Sequence, residues 1–120
     1  MYVYSPLVDT GADLVAANRA GTLFMPVQVK FRASDPALGS LKSDMARFEA
    51  SSTVIAFLIG TSDSSKAWYV PYSDWKSRAV DRERNDEKVY VRLAENEAWL
   101  SQFEGDAGVR HAFRTLLAEA

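Results

Sequence analysis

The segment that most constrains the fold is residues 53–59, a nearly unbroken apolar run rich in β-branched side chains. A strand with one face in water alternates apolar and polar residues, whereas an unbroken run is typical of a strand buried on both faces. Both faces of a sheet become buried when other layers cover it on each side. The run therefore predicts the centre of the sheet in an α/β fold.

Composition limits the chemistry that such a fold can carry. Of the 120 residues, 48% are hydrophobic and 25% are charged, as in an average globular domain. The chain has no Cys and one His, which excludes zinc fingers, Cys nucleophiles and iron–sulfur clusters. The formal net charge of −2 offers no general attraction to nucleic acid, so a phosphate-binding surface must be a local patch. No apolar run approaches the roughly 20 residues that cross a bilayer, and we expect one cytoplasmic domain over residues 1–120.

Hydrophobic periodicity and turn residues predict the element order β-β-β-α-β-β-β-α-α, an α/β sheet with mixed strand directions. Strands are predicted at residues 2–4, 13–17, 23–32, 53–59, 66–70 and 88–93. Helices are predicted at residues 40–50, where Ser40 is the expected N-cap, and in two segments over about 96–119. Pro26 has no N–H, so the third strand must be irregular or at an edge there. Residues 76–88 carry five basic and four acidic side chains and are interpreted as a solvated loop.

The third predicted strand carries the polar residues of most interest. Its odd-numbered positions from 23 to 31 are apolar. Because side chains alternate across a strand, Gln28, Lys30 and Arg32 share the opposite face. One face of this strand is therefore expected to pack in the core, while the other presents an amide and two cations.

The preceding strand brings a carboxylate to the same face. With residues 18–21 as a four-residue turn, Ala17 pairs with Thr22, and Asp13 pairs with Pro26 and becomes a diagonal neighbour of Gln28. Diagonal neighbours lie roughly 7–8 Å apart at Cα, so one metal ion can reach both a carboxylate and an amide oxygen. A register slip of one residue would move Asp13 to the other face.

These residues resemble the core of the PD-(D/E)XK nuclease superfamily. The superfamily pattern is an Asp at the start of one strand and Asp, Glu or Gln, then any residue, then Lys on the next strand. Here Asp13 precedes Gln28-Val29-Lys30, and 15 residues separate Asp13 from Gln28. Gln in place of the second acid is similar to Mrr-type restriction enzymes. The resemblance covers roughly residues 1–76, with the core motif in 6–32, and implies a restriction-endonuclease-like mixed sheet flanked by helices.

The resemblance implies a metal-dependent DNA endonuclease that hydrolyses phosphodiester bonds. Hard cations such as Mg²⁺ or Mn²⁺ prefer oxygen ligands. Asp13, the side-chain oxygen of Gln28 and the backbone carbonyl of Val29 would supply them, and Asp9 is a further candidate ligand. All three residues of the family motif, Asp13, Gln28 and Lys30, are expected to be catalytic.

The same resemblance assigns roles to the cations. Lys30 would orient or activate the attacking water and offset the charge that develops on the phosphate. Arg32, and with a weaker signal Lys42, would hold neighbouring phosphates. DNA is therefore the expected partner, and a membrane is not.

Two departures from the family pattern favour a second interpretation. Members usually have a helix before the first strand that carries a Glu of the site, whereas the first predicted strand here begins at residue 2. We therefore expect that helix to be absent. Either the chain is a fragment or a short variant of the family, or the place of the helix is covered by the C-terminal helices or by the second subunit of a homodimer. Gln28 is also neutral where many members have an acid. The alternative function is a catalytically inactive nuclease fold that binds nucleic acid or assembles with proteins.

Simpler interpretations of single residues stay open beside these. Asp13 is also typical of a hairpin carboxylate that accepts bonds from backbone amides, and Lys30 of a solvated strand lysine. His111 lies off the apolar stripe of the last helix and is interpreted as a surface residue. Aromatic side chains can stack on bases of a single strand, but packing in the core and at its rim is the interpretation we favour for Trp68, Tyr69, Tyr72 and Trp75.

Overall fold

The computed structural model of the chain describes residues 1–4, 13–32, 37–41, 53–60, 65–82 and 85–118, with residues 32, 37–41 and 80–90 described by their backbone. Eight strands lie in these ranges: β1 Tyr2–Tyr4, β2 Leu14–Ala17, β3 Phe24–Arg32, β4 Ala37–Leu41, β5 Val54–Gly60, β6 Ser65–Pro71, β7 Val80–Arg82 and β8 Asn85–Arg92. One sheet has the order β1-β2-β3-β5-β6 and a second has the order β4-β8-β7. The β3–β5 pair is parallel and the other pairs are antiparallel, so the predicted mixture of strand directions is confirmed.

β5 is the strand predicted from the apolar run, and it lies inside the sheet between β3 and β6. Its first four residues are buried, which confirms burial on both faces. The middle place in the strand order belongs to β3. The pairs between β3 and β5 begin at Val27, so Pro26 has a partner strand on the β2 side alone. The expectation of an edge at Pro26 is confirmed on the β5 side of β3, where Pro26 has no partner strand.

The helical segments of the described chain are short: α1 Tyr72–Arg78, α2 Glu97–Leu100, a 3₁₀ turn Ser101–Phe103, α3 Gly105–Ala112 and α4 Arg114–Leu117. Alternation along β5 divides the core between the two faces of the larger sheet. Val54 and Ala56 pack with Phe113 and Leu116 from the C-terminal end of the chain. On the opposite face, Ile55 and Phe57 belong to a cluster with residues of α1, α2, the 3₁₀ turn and β8, namely Tyr72, Trp75, Val91, Leu100 and Phe103.

Two local predictions are wrong. Ser40 does not begin a helix, because residues 37–41 form β4 and pair with residues 88–92 of β8. The rest of the predicted helix, residues 42–50, lies outside the described residues. Residues 76–88 are not a loop either, since α1 continues to Arg78 and β7 pairs with β8. Backbone pairing with β8 decided residues 37–41 and 80–82, and neither helical spacing nor a charge count reveals such pairing.

The C-terminal helices form close to their predicted places but are interrupted. Asn96 stands at the N-cap position of α2, yet its side chain makes no capping bond and its Nδ2 donates instead to the carbonyl of Arg92 at 2.8 Å. Gly105 has a φ of 57°, the left-handed conformation expected where one helix ends. Phe113, at φ −108° and ψ 20°, separates α3 from α4. No helix within the described ranges is long and apolar enough to cross a membrane.

The aromatic side chains confirm the packing interpretation. Trp68, Tyr72 and Trp75 are buried, and Tyr69 is partly buried against the cluster on the other face. His111 is half-buried rather than a plain surface residue, because its ring lies edge-on to Phe103 at 5.4 Å between centroids.

Gly108 provides a test of how closely α3 is held to the 3₁₀ turn. A Cβ at Gly108 would overlap the backbone carbonyl of Phe103. We therefore expect Gly108→Ala to lower the free energy of unfolding by about 1–3 kcal/mol, the usual cost of overpacking. Alanine is the better helix former by about 1 kcal/mol, so helix propensity alone predicts the opposite sign.

Urea denaturation followed by circular dichroism measures this change. Ala107→Gly is the matched control, because Ala107 is exposed on the same helix and should lose only about 1 kcal/mol of helix propensity. A Gly108→Ala protein as stable as the wild type would contradict the close approach.

Candidate metal and nucleic-acid site

The β2–β3 hairpin fixes where the candidate site residues lie. Leu14 pairs with Val27 and Ala17 with Phe24, whereas the sequence predicted Ala17 opposite Thr22. The predicted register is wrong by two residues. Because two residues are one full side-chain period, Asp13 still lies on the face of Gln28. The shift moves Asp13 from a diagonal position into direct contact with Gln28.

Asn18 fixes where the turn begins, because its N–H donates to the carbonyl of Leu23 at 3.1 Å and the four turn residues are therefore 19–22 instead of 18–21. Its side chain is fully buried, and its Oδ1 accepts the backbone N–H groups of Thr22 at 2.9 Å and Leu23 at 3.1 Å. Its Nδ2 also donates to the hydroxyl of Thr22 at 2.9 Å. Thr22 is thereby held in the turn, and backbone pairing of the hairpin begins with Leu23 opposite Asn18. The sequence analysis treated Asn18 only as a turn former and missed this role.

The carboxylate of Asp13 links the start of β2 to the middle of β3. Its Oδ2 accepts the side-chain amide Nε2 of Gln28 at 2.9 Å and the backbone N–H of Val29 at 2.8 Å. The two motif residues predicted to share a site are therefore in contact. The bond from Val29 also agrees with the simpler interpretation of Asp13 as an acceptor for backbone amides.

The amide oxygen of Gln28 is the unusual atom of the site. Oε1 is buried and has no hydrogen-bond partner in the part of the chain that the structure describes. Leaving a buried acceptor unsatisfied costs about 1–3 kcal/mol. Carboxylate and amide oxygens are ligands of hard cations, so the donor set fits Mg²⁺ or Mn²⁺ once the amide group of Gln28 turns Oε1 toward Asp13 in place of the Nε2 that now donates to it. Asp13 is the single carboxylate of this set, and the described residues contain no cluster of three or more His, Cys, Asp or Glu side chains that could hold a metal.

The structure describes some of the predicted cationic residues and not others. Lys30 is half-buried on β3, and its partner on β5 is Phe57, so it follows Gln28 by one side-chain period on the same face. Arg32 ends β3 opposite Ile59, which keeps it in line with Lys30 along the backbone. Asp9 and Lys42 lie outside the described residues.

The same face carries exposed aromatic side chains that the sequence analysis did not single out. Tyr2 pairs with Ala17 and Tyr4 with Val15, which places both tyrosines on the face of Asp13. Phe24 pairs with Ala17 from the other side. The sequence did contain a signal for Phe24. The apolar residues that face the core from this strand have odd numbers, whereas Phe24 has an even number and therefore lies on the polar face with Gln28.

A cavity of about 580 Å³ lies farther along this face of the sheet. Trp68 and Lys66 of β6 line it, and Lys66 Nζ lies 4.0 Å from a carboxylate oxygen of Glu104 at its wall. Neither Asp13 nor Gln28 contributes to the lining. The candidate metal site is thus an open position at the end of a hairpin rather than part of this cavity.

Comparisons with known proteins agree with the fold. No protein-family model matches the sequence, and no curated protein matches it. Among solved structures, the chain is similar to Archaeoglobus fulgidus Hjc, a Holliday junction resolvase from an archaeal hyperthermophile and a PD-(D/E)XK superfamily nuclease. The match has a TM-score of 0.50 and 12% identity, and covers 77% of this chain and 70% of Hjc. The chain therefore has the restriction-endonuclease-like α/β fold.

The role of Asn18 in the register is testable by substitution. We expect Asn18→Ala to lower the free energy of unfolding by about 1–3 kcal/mol, because it removes a buried side chain that bonds three groups of the turn. Ala20→Ser, an exposed change in the same turn, should be within about 0.5 kcal/mol of the wild type. Equal unfolding midpoints for the two variants in urea would refute a structural role for Asn18.

Proposed function

We propose that this protein is a divalent-metal-dependent nuclease that hydrolyses phosphodiester bonds in DNA, with Asp13, Gln28 and Lys30 as its catalytic residues. The observation that carries the proposal is the contact between Asp13, at the start of β2, and Gln28, in the middle of β3, with Lys30 next on the same face. The similarity of the fold to a resolvase of known structure supports it. The Asp…Gln-X-Lys order makes the Mrr-type variant of the superfamily the one we propose.

The proposed metal ligands are all oxygens. Asp13 accepts two hydrogen bonds on Oδ2, and since a carboxylate has about four acceptor positions, it retains capacity for a cation. Gln28 would contribute Oε1, which has no partner among the described residues, after its amide group turns toward the cation. The N–H and C=O of one strand residue point to the same side, so the Val29 carbonyl is directed toward Asp13, as its N–H is. A bound Mg²⁺ or Mn²⁺ would neutralise phosphate charge and make a water molecule more acidic.

Lys30 is proposed to act on the water and on the phosphate. Lys30 lies on the face of Gln28, one side-chain period beyond it, and its ammonium group would meet a phosphate bound to the cation. A cation there orients the attacking water and stabilises the negative charge that grows in the transition state. Arg32, and more weakly Lys42, would bind phosphates on either side of the scissile one; Asp9 remains a proposed further ligand.

A second candidate function is an inactive nuclease fold that binds nucleic acid or assembles with proteins. The observation that favours it is that Asp13 already has two hydrogen-bond donors, so the hairpin end is stable without a cation. Gln28 is neutral, which weakens the electrostatic attraction of the site for a metal. A homodimer and a cytoplasmic location stay predictions under either function.

Cleavage assays with matched variants test the proposal. The purified protein would be incubated with supercoiled plasmid, linear duplex and single-stranded DNA in Mg²⁺ or Mn²⁺. We expect cleavage that falls by about a hundredfold or more in Asp13→Ala and in Lys30→Ala, because each removes a group that acts on the reacting phosphate. Lys66→Ala is the control, since Lys66 is an exposed lysine on β6 and its removal should leave the rate unchanged.

The outcomes separate the two functions. Circular dichroism spectra that match the wild type would show that the variants are folded. Cleavage that survives in Asp13→Ala or Lys30→Ala would contradict the proposed site. A folded wild-type protein that cleaves none of the three substrates with either metal would favour the inactive module.

A further inference from the structure

Three exposed aromatic side chains follow the candidate site along the same face of the sheet. Tyr4, Val15 and Pro26 form the row next to Asp13 and Gln28, and the row beyond it contains Tyr2, Ala17 and Phe24. Neighbouring rows on one face are two residues apart, or about 7 Å. The aromatic rows therefore lie about 7 Å and about 14 Å from the carboxylate.

These rings are exposed although most large apolar side chains of the described chain are not. Tyr2 is 50% exposed, Tyr4 54% and Phe24 59%. The two tyrosine rings are 6.4 Å apart between centroids and tilted by 43°. Together the three side chains form what we call the aromatic platform. A platform of rings with free faces needs a flat apolar partner.

The partner of the aromatic platform could be a nucleic acid or a second copy of the chain. The cationic residues near the platform and its exposed area distinguish the two. Arg19 is exposed in the turn beyond the Tyr2–Phe24 row, and Lys30 lies beyond Asp13, so one cationic residue follows each end of the platform along the strand direction. A single strand of nucleic acid needs this combination of rings for its bases and cations for its phosphates. Three half-exposed rings offer roughly 300 Å², far below the roughly 800 Å² that each partner buries in a standard protein interface.

We propose that Tyr2, Tyr4 and Phe24 stack with unpaired bases of the DNA strand whose phosphate lies at Asp13 and Gln28. The inference rests on the proposed nuclease function and adds a substrate class, which is DNA with a single-stranded segment beside the cleaved bond. At 3.4 Å per stacked nucleotide, about 14 Å accommodates about four bases. Paired bases in a duplex have their faces covered by neighbours and cannot use the platform in this way.

Binding without cleavage tests this substrate class separately from catalysis. Fluorescence anisotropy in EDTA would measure the dissociation constants for a short labelled single strand and for the blunt duplex of the same sequence. Removing one stacking ring typically weakens binding by about fivefold or more. We therefore expect this loss for the single strand in Phe24→Ala and in the double variant Tyr2→Ala/Tyr4→Ala, with recovery in Phe24→Tyr.

Phe31→Ala is the matched control. Phe31 lies on the same strand as Phe24 and is 59% exposed like it, but its odd number places it on the opposite face. Equal losses of single-strand affinity in Phe24→Ala and Phe31→Ala, or wild-type affinity that is no higher for the single strand than for the duplex, would overturn the proposal.

Failure of the platform and failure of the nuclease give different results. If cleavage in Mn²⁺ depends on Lys30 while Phe24→Ala binds the single strand as the wild type does, only the platform is refuted. If the wild-type protein neither cleaves DNA nor binds the single strand, both proposals fall.

Discussion

The buried side chain of Asn18 is the constraint on which the site depends. Its Oδ1 holds Thr22 in the turn and accepts the N–H of Leu23, whose carbonyl accepts the N–H of Asn18, and the same register pairs Leu14 with Val27. This register sends Leu14 and Ala16 into the core cluster that Phe113 and Leu116 complete, and it sends Asp13 to the opposite face. A shift of one residue would bury Asp13 and expose Ala16, so core packing and site geometry favour the same register.

β5 supplies the second half of the arrangement. Because β5 is apolar and buried on both faces, it has no polar side chain to contribute to a site. The candidate site residues therefore lie on the neighbouring β2–β3 hairpin. Its parallel pairing with β3 begins at Val27, immediately before Gln28. The polar residues of β3 therefore begin where β3 starts to pair with the buried strand β5. Functional groups held by a fixed framework of this kind keep their relative positions without a cost in conformational entropy at each encounter with substrate.

The sequence was sufficient for the parts of the fold that periodicity determines. Alternation identified the two faces of β3, and the run at residues 53–59 identified the interior strand. Asp13 and Gln28 could be brought to one face because a two-residue error in the turn preserves side-chain direction. β4 and β7 could not be found in this way, since they form through backbone pairing with β8, a partner distant in sequence from β4. The unsatisfied Oε1 of Gln28 was equally inaccessible, because burial of a single atom depends on tertiary packing.

The proposed site requires that Asp13 and Gln28 share a divalent cation. Crystals soaked in Mn²⁺ and measured at the manganese absorption edge test it directly, because the anomalous signal locates the metal independently of activity. A shared cation predicts a peak in coordination distance of the Asp13 carboxylate and Gln28 Oε1, and this peak should disappear in Asp13→Asn. A wild-type crystal with no peak there, or a peak that persists in Asp13→Asn, would contradict it.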